Sequence, residues 1–195
     1  MRIKTVAFLA RWPGFLVLKS LMSNPRIDLQ AVYTHGVLPK EEGGGVRPEL
    51  YHYEKQVGDI PFFVINSKYD FSIRPADLII ALSWRFKLND EILGPVEKAI
   101  NIHRGDLPKY AGAEPVRRAI EAKENFVAIT AHHMIDEIDA GDKIAQVWFP
   151  IPQARHGLST SEHAEQVKEH LYPLYDPLVN LSISTIFPSN WSSKL

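Results

Sequence analysis

The chain has 195 residues, a formal net charge of -1, 45% hydrophobic and 23% charged residues, and no cysteine. That length suits one sizeable core, the charge balance argues against a broad polyanion-binding surface, and disulfides, thiolate metal sites and thiol nucleophiles are excluded. The opening apolar run is too short for a signal peptide and no stretch approaches membrane-spanning length, so the expectation is a cytoplasmic protein with no membrane partner.

Residues 3–9, short and β-branched, read as a buried strand. Arg11-Trp12-Pro13-Gly14 reads as a turn, followed by a helix carrying Phe15, Leu18, Leu21 and Met22 at helical spacing and stopped by Asn24-Pro25. A second strand covers 28–34. The segment 35–48 holds three consecutive glycines among mixed charges and reads as a flexible loop. It lacks the Gly-Lys-Ser/Thr that a phosphate cradle needs. Pro48 opens a helix to Gln56. Further strands are predicted at 62–65, 77–82 and 98–103, a helix at 114–122, and strands at 127–134 and 143–151. A last helix spans 159–171, with Ser159 or Thr160 as N-cap and Glu162 in its first turn. Pro173 and Pro177 are expected to interrupt any continuation. Alternating strands and helices predict a single α/β domain over 1–195, with a Rossmann-like, mostly parallel sheet flanked by helices and a C-terminal helical segment from about 159. Ligands in such sheets sit at the carboxyl ends of the strands.

Two groups there carry chemistry. Asn101 and His103 share one face of a strand end by the period of two, while Ile102 points away. An amide can donate to a developing oxyanion, and an imidazole can exchange a proton near neutral pH. The same pair also serves as a simple strand-end contact holding the next loop. The acidic run Asp136-Glu137-Ile138-Asp139-Ala140-Gly141-Asp142 reads either as a solvated turn or as the source of a carboxylate that orients His103. His132 and His133 raise a metal reading. Neighbouring strand residues face opposite ways, so only one could join a shared site, and no metal is expected. Arg11 and Trp12 follow the first strand. Trp84, Arg85 and Phe86 follow the fourth, where an aromatic-basic pair suits a planar heterocycle or its carboxylates.

The runs NIHRGDLPKYAGAEPVRRAI and ITAHHMIDEIDAGDKIAQ together resemble the catalytic core of the folate-dependent formyltransferases, whose pattern is Asn-x-His, a Leu-Pro loop with a downstream glycine, a strand, then Asp-x-Gly. Asn101, His103, Leu107-Pro108, Gly112 and Asp139-Ala140-Gly141 fill those positions in order. More loosely, the resemblance extends over residues 1 to about 152. It implies 10-formyltetrahydrofolate as donor and a primary amine of a small molecule as acceptor. It also implies catalytic roles for three residues. Asn101 donates to the formyl oxygen, His103 stabilises the oxyanion or takes the amine proton, and Asp139 orients His103 and relays the proton. The donor's pteridine would lie against Trp84, Arg85, Phe86, Lys87 and Leu88 and against Ile135, Asp136 and Ile138. Arg11, Trp12, Asp106, Lys109 and His132 would line the acceptor side.

The chain departs from the pattern at Gly105-Asp106, where relatives commonly read Ser-Leu, and at Ala111, where arginine is usual. These changes leave donor geometry and acceptor identity in question. The place of a purine-pathway phosphate turn is taken by Leu9-Ala10-Arg11-Trp12-Pro13-Gly14, which argues against a glycinamide ribonucleotide acceptor. The tRNA members carry a basic C-terminal domain; with the chain ending at Leu195 and no basic excess, tRNA is disfavoured. The sugar-nucleotide branch, notably the aminoarabinose enzymes, matches better, and a homodimer is left open. The rival readings are a formyltetrahydrofolate hydrolase and a non-catalytic folate- or nucleotide-binding paralogue.

Overall fold

A computed structural model describes residues 2–38, 44–67 and 73–191, with the Asp90 side chain outside the described set. The chain packs as two compact units, one running to Ile100 and rejoined from Ser189, the other spanning Asn101–Pro188. The fold class is α/β with a mostly parallel sheet, as the alternation of elements predicts.

The first unit holds β1 (Ile3–Leu9), α1 (Arg11–Ser23), β2 (Ile27–Thr34), α2 (Leu50–Val57), β3 (Phe62–Val64), β4 (Leu78–Leu82), the short α3 (Asp90–Leu93) and the start of β5 (Lys98–His103). Its strands lie in the order β3-β2-β1-β4, every pair parallel. All five residues of β4 and six of the seven in β1 are buried, the near-continuous apolar pattern of strands covered on both faces. Asp77 fixes where β4 begins: its carboxylate accepts from the Lys4 N–H at 2.8 Å, and its own N–H donates to the Lys4 carbonyl at 2.8 Å.

The predicted turn at 11–14 is instead the first turn of α1. Pro13 is tolerated there because the first N–H groups of a helix have no intrahelical acceptor. Gly14 is required for packing, since a Cβ would lie 2.4 Å from the Tyr53 hydroxyl on α2. Tyr53 is buried and donates to the Arg11 carbonyl at 3.0 Å. In the predicted loop 35–48, residues 39–43 lie outside the described residues. The flanking parts close on each other through a Val37–Val46 bridge and the Leu38 N–H on the Gly45 carbonyl at 2.9 Å.

The second unit continues β5 and adds α4 (Pro115–Glu121), β6 (Phe126–His133), β7 (Lys143–Pro150), α5 (Thr160–His170), a 3-10 turn (Tyr172–Leu174) and α6 (Tyr175–Ile186). Its strand order is β5-β6-β7, with β6 and β7 antiparallel. Helix α5 starts in the predicted place with a full capping box. Ser159 Oγ accepts from the Glu162 N–H, and the Glu162 carboxylate accepts from the Ser159 N–H at 2.8 Å. Helix α6 corrects the expectation that the prolines end helical structure. Pro173 sits in the 3-10 turn and Pro177 is the third residue of α6, in the first turn, where a missing N–H is tolerated. Tyr175, Leu178, Val179, Ser182 and Ile183 form the buried stripe by which α6 packs on β6 and β7.

Candidate active site

Asn101 and His103 end β5, and Asp139 lies in the connection between β6 and β7. The Asp139 carboxylate gathers four groups of the second unit. His103 Nδ1 lies 3.2 Å from Oδ2 and the Gly112 N–H donates to the same oxygen at 2.9 Å. Asn101 Nδ2 donates to Oδ1 at 3.2 Å, with His132 Nε2 3.4 Å from that oxygen. The Asp139 and His103 side chains are only 8% and 9% exposed, so these contacts are weakly screened.

Backbone geometry puts the carboxylate there. Asp139 itself adopts φ 56°, a left-handed conformation that Asp tolerates better than most residues. Two residues on, a Cβ at Gly141 would lie 1.9 Å from the His133 carbonyl oxygen, so only glycine lets the connection press this closely on the end of β6. The His133 N–H then donates to the Asp142 carbonyl at 2.9 Å, closing the turn. This is the physical content of the Asp-x-Gly pattern. Gly112, at φ 82°, likewise turns its N–H onto Asp139.

The other face of His103 meets the loop after β5. Its Nε2 is 2.8 Å from the Tyr110 carbonyl, and a Cβ at Gly105 would lie 2.7 Å from that same nitrogen. Both partners of the ring are acceptors, so only the imidazolium makes both hydrogen bonds. Burial pushes the His103 pKa below its ordinary value, with Asp139 and the Tyr110 carbonyl pulling the other way. The ring is thus held largely neutral in a setting where a gained proton completes its second hydrogen bond. For Asp139, burial favours the protonated acid, but His132, His103 and the Gly112 N–H together outweigh it and hold the carboxyl below the usual range. His132 Nδ1 donates to the His133 carbonyl at 2.9 Å, and its Nε2 lies between Asn101 Nδ2 at 3.1 Å and Asp139 Oδ1 at 3.4 Å.

Asp106 and Lys109 lie on the same loop, away from that cluster. Gln146 donates to Asp106 Oδ1 at 3.1 Å and to Thr130 Oγ1 at 2.8 Å, and the Thr130 hydroxyl donates to the Gly105 carbonyl at 2.6 Å. Lys109 pairs with Glu124 at 2.6 Å. Ile135, Asp136 and Ile138 are exposed on the β6–β7 connection. Among the described residues no group of three His, Asp or Glu is arranged to hold a metal ion.

The remaining predicted residues belong to the first unit. Arg11 and Trp12 open α1, where the Trp12 ring packs against His52 and Phe15. Arg85 and Lys87 are exposed, Trp84 and Phe86 partly so, and Leu88 is buried. His35, which the sequence did not single out, organises this segment. Its ring stacks on Trp84 at 4.0 Å and 18°, its Nε2 accepts from the Arg85 N–H at 3.2 Å, and its Nδ1 donates to the Ile65 carbonyl at 3.0 Å. The contact with the Arg85 N–H requires the neutral ring. Burial, the largest influence, lowers its pKa to about 4. Tyr110, Thr130 and Gln146 were missed too. The period of two does put Thr130 on the same face as His132, a signal that was available.

An amide and an imidazole at a strand end, held by a buried carboxylate from the β6–β7 connection, are groups able to donate to an oxyanion and to exchange a proton. The chain belongs to the formyl transferase family, whose model matches residues 70–174, the stretch that contains this cluster. It is 33% identical over 133 residues to the methionyl-tRNA formyltransferase of Thermotoga maritima, covering 64% of this chain and 42% of that protein. With the methionyl-tRNA formyltransferase of Streptococcus uberis the identity is 33% over 144 residues, covering 69% and 45%. The chain therefore spans less than half the length of these relatives. In fold it resembles the phosphoribosylglycinamide formyltransferase of Brucella melitensis (TM-score 0.70, 19% identity, 99% of this chain and 100% of that one). It likewise resembles glycinamide ribonucleotide transformylase 1 of Geobacillus kaustophilus (TM-score 0.69, 17% identity, 95% and 99%).

These relatives overturn the expectation that tRNA is disfavoured. That expectation rested on chain length and overall charge. Both are properties of the whole chain, whereas the matches to methionyl-tRNA formyltransferases cover 64–69% of this chain and 42–45% of those proteins.

Proposed function

We propose that this chain transfers a formyl group from 10-formyltetrahydrofolate to a primary amine, using Asn101, His103 and Asp139. The observation that supports it is the single buried carboxylate of Asp139 joined to both His103 Nδ1 and Asn101 Nδ2. In the reaction a bond forms between the amine nitrogen and the formyl carbon, the bond from that carbon to the folate nitrogen breaks, and a proton passes from the amine to the folate nitrogen. Bound donor supplies the formyl carbon. The amide hydrogen that Asn101 gives to Asp139 Oδ1 at 3.2 Å turns to the oxygen that gains charge when the donor binds, while the other stays on His132; a donor of this kind is usually worth about 3–4 kcal/mol of barrier. His103 takes the proton, since uptake completes its bonds to Asp139 and Tyr110. Asp139 holds the ring's orientation and stabilises its cation. His132 positions Asn101 by accepting one of its amide hydrogens. In this reading Trp84, Arg85, Phe86, Lys87 and Leu88, and separately Ile135, Asp136 and Ile138, contact the donor, while Arg11, Trp12, Asp106 and Lys109 serve the acceptor.

For the acceptor, methionyl-tRNA is the first candidate, because relatives with 29–38% identity carry that activity in their names. An aminosugar nucleotide is the second, on the resemblance of the strand-one and strand-four regions to the sugar-nucleotide branch. Tetrahydrofolate release is measured with methionyl-tRNA, with a panel of aminosugar nucleotides and with neither. Release that depends on an acceptor is expected. Release without one would make the protein a hydrolase, and binding without release a non-catalytic module. Full activity in Asn101→Ala, His103→Ala and Asp139→Ala would remove the assigned roles.

A further inference from the structure

A line of hydrogen bonds runs behind His103, from β7 through β6 to the loop after β5. Gln146 on β7 and Thr130 on β6 are direct cross-strand partners. The Gln146 amide gives its two hydrogens to Thr130 Oγ1 at 2.8 Å and to Asp106 Oδ1 at 3.1 Å. The single Thr130 hydroxyl hydrogen goes to the Gly105 carbonyl at 2.6 Å. A carbonyl only accepts, so each bond in the line has one direction. Gln146 sets that direction. Its N–H occupies the Thr130 oxygen, and the hydroxyl hydrogen, which otherwise rotates to suit its neighbours, is left pointing at Gly105.

Gly105 is where this line reaches the site. A Cβ there would lie 2.7 Å from His103 Nε2, 2.8 Å from the Tyr110 carbonyl oxygen and 2.7 Å from Pro115 Cβ, so the residue stands against the contact between the ring and that oxygen. Thr130 is fully buried, and its hydroxyl is the only donor to the Gly105 carbonyl among the described residues. A buried carbonyl deprived of its donor turns toward another, because leaving it unpaired is costly. In so crowded a place that rotation pushes on His103 or on the Tyr110 carbonyl.

We propose that Gln146 and Thr130 are positioning residues for His103: through the Gly105 carbonyl they hold the loop so that Nε2 keeps its 2.8 Å contact with the Tyr110 carbonyl. The same Gln146 amide holds Asp106, so the group that takes the proton and a group that serves the acceptor share one support. Their part in turnover rests on the formyl-transfer reading; their hold on the ring does not.

The test is ¹⁵N titration of the His103 ring in the intact chain, with neither donor nor acceptor added. The titratable and charged groups that act on the ring are Asp139, His132 and Arg104, beside the Tyr110 carbonyl. Thr130→Val, Thr130→Ser and Gln146→Met remove none of them and change no charge, so a displaced pKa reports geometry. The Tyr110 carbonyl favours the protonated ring, so loosening that contact lowers the pKa. Thr130→Val and Gln146→Met should each lower it by about 0.5 or more, roughly a threefold loss of proton affinity, while Thr130→Ser, which keeps the hydroxyl, stays within about 0.2 of wild type. The double variant should move it no further than Thr130→Val, because Gln146 acts through that hydroxyl. In steady-state transfer Thr130→Val should lower kcat about tenfold and leave the acceptor KM within about twofold. An unmoved ring in Thr130→Val and Gln146→Met, an equal shift in Thr130→Ser, or full kcat in Thr130→Val overturns the proposal. Gln146 is only half-buried, so Gln146→Met decides alone should Thr130→Val fail to fold. A ring that shifts as expected in a protein without transfer activity removes the formyl-transfer reading and leaves the positioning role; transfer with an unmoved ring does the reverse.

Discussion

Gly105→Ala is the sharpest test of the arrangement around His103. A Cβ there would meet His103 Nε2 at 2.7 Å, Pro115 Cβ at 2.7 Å and the Tyr110 carbonyl oxygen at 2.8 Å. All three fall inside the range that real Cβ contacts avoid, and one of them is a backbone oxygen, so no single side-chain rotation relieves them. Restoring an ordinary 3.4 Å requires an opening of about 0.7 Å. Added to the 2.8 Å between His103 and the Tyr110 carbonyl, that stretches the contact to about 3.5 Å, where little of the hydrogen bond survives. A bond to a group that becomes charged is worth about 1.5–3 kcal/mol, or roughly 10- to 150-fold in rate. The same crowding should lower folding stability by about 1–3 kcal/mol. The direction on pH is also fixed. The Tyr110 carbonyl favours the protonated ring, so its loss moves the His103 pKa further down and shifts the acid limb of kcat/KM to lower pH. The assay is kcat/KM for formyl transfer from pH 5 to 9, with ¹⁵N shifts of the His103 ring and a melting curve. A variant that melts like wild type, turns over within threefold of it and keeps the same ring shifts would refute the reasoning.

His35→Gln tests the first unit. The His35 pKa is about 4 when folded and 6.5 in the unfolded chain, so its contribution to stability is present above pH 6.5 and lost as pH falls toward 4. Wild type should lose about 3 kcal/mol more than the variant between those values in denaturant unfolding; parallel pH curves would contradict the assignment. Gly141→Ala places a Cβ 1.9 Å from the His133 carbonyl, so the β6–β7 connection must move and carry Asp139 with it. Transfer should fall by a hundredfold or more and stability by about 2 kcal/mol or more; near-wild-type values for both would show that the connection is not held as described.

The parts legible in the sequence were those set by local rules. The β-branched run at 3–9, the shared face of Asn101 and His103, and the Ser159–Glu162 cap follow from periodicity and capping chemistry, and each lies where predicted. Prolines were read too strictly, because Pro13 and Pro177 fall in first turns where a helix accepts them. The meeting of Asp139 with His103, 36 residues apart in sequence, depends on a left-handed residue and a glycine pressed on a carbonyl. No periodicity encodes that. It was the family pattern that singled out Asp139 among the neighbouring acids. His35 gave no signal because its role depends on meeting Trp84 and Arg85, some fifty residues away.

The segment from Gly105 to Gly112 is tied down along its length: Thr130 holds the Gly105 carbonyl, Gln146 holds Asp106, Glu124 holds Lys109 and the Tyr110 hydroxyl, and Arg118 holds the Ala111 carbonyl. A stretch anchored at residues 105, 106, 109, 110 and 111 does not open and close with each turnover. The ordering entropy that a closing lid would demand in every catalytic cycle is here settled once, at folding. Solvent viscosity should therefore leave any rate governed by this loop unchanged.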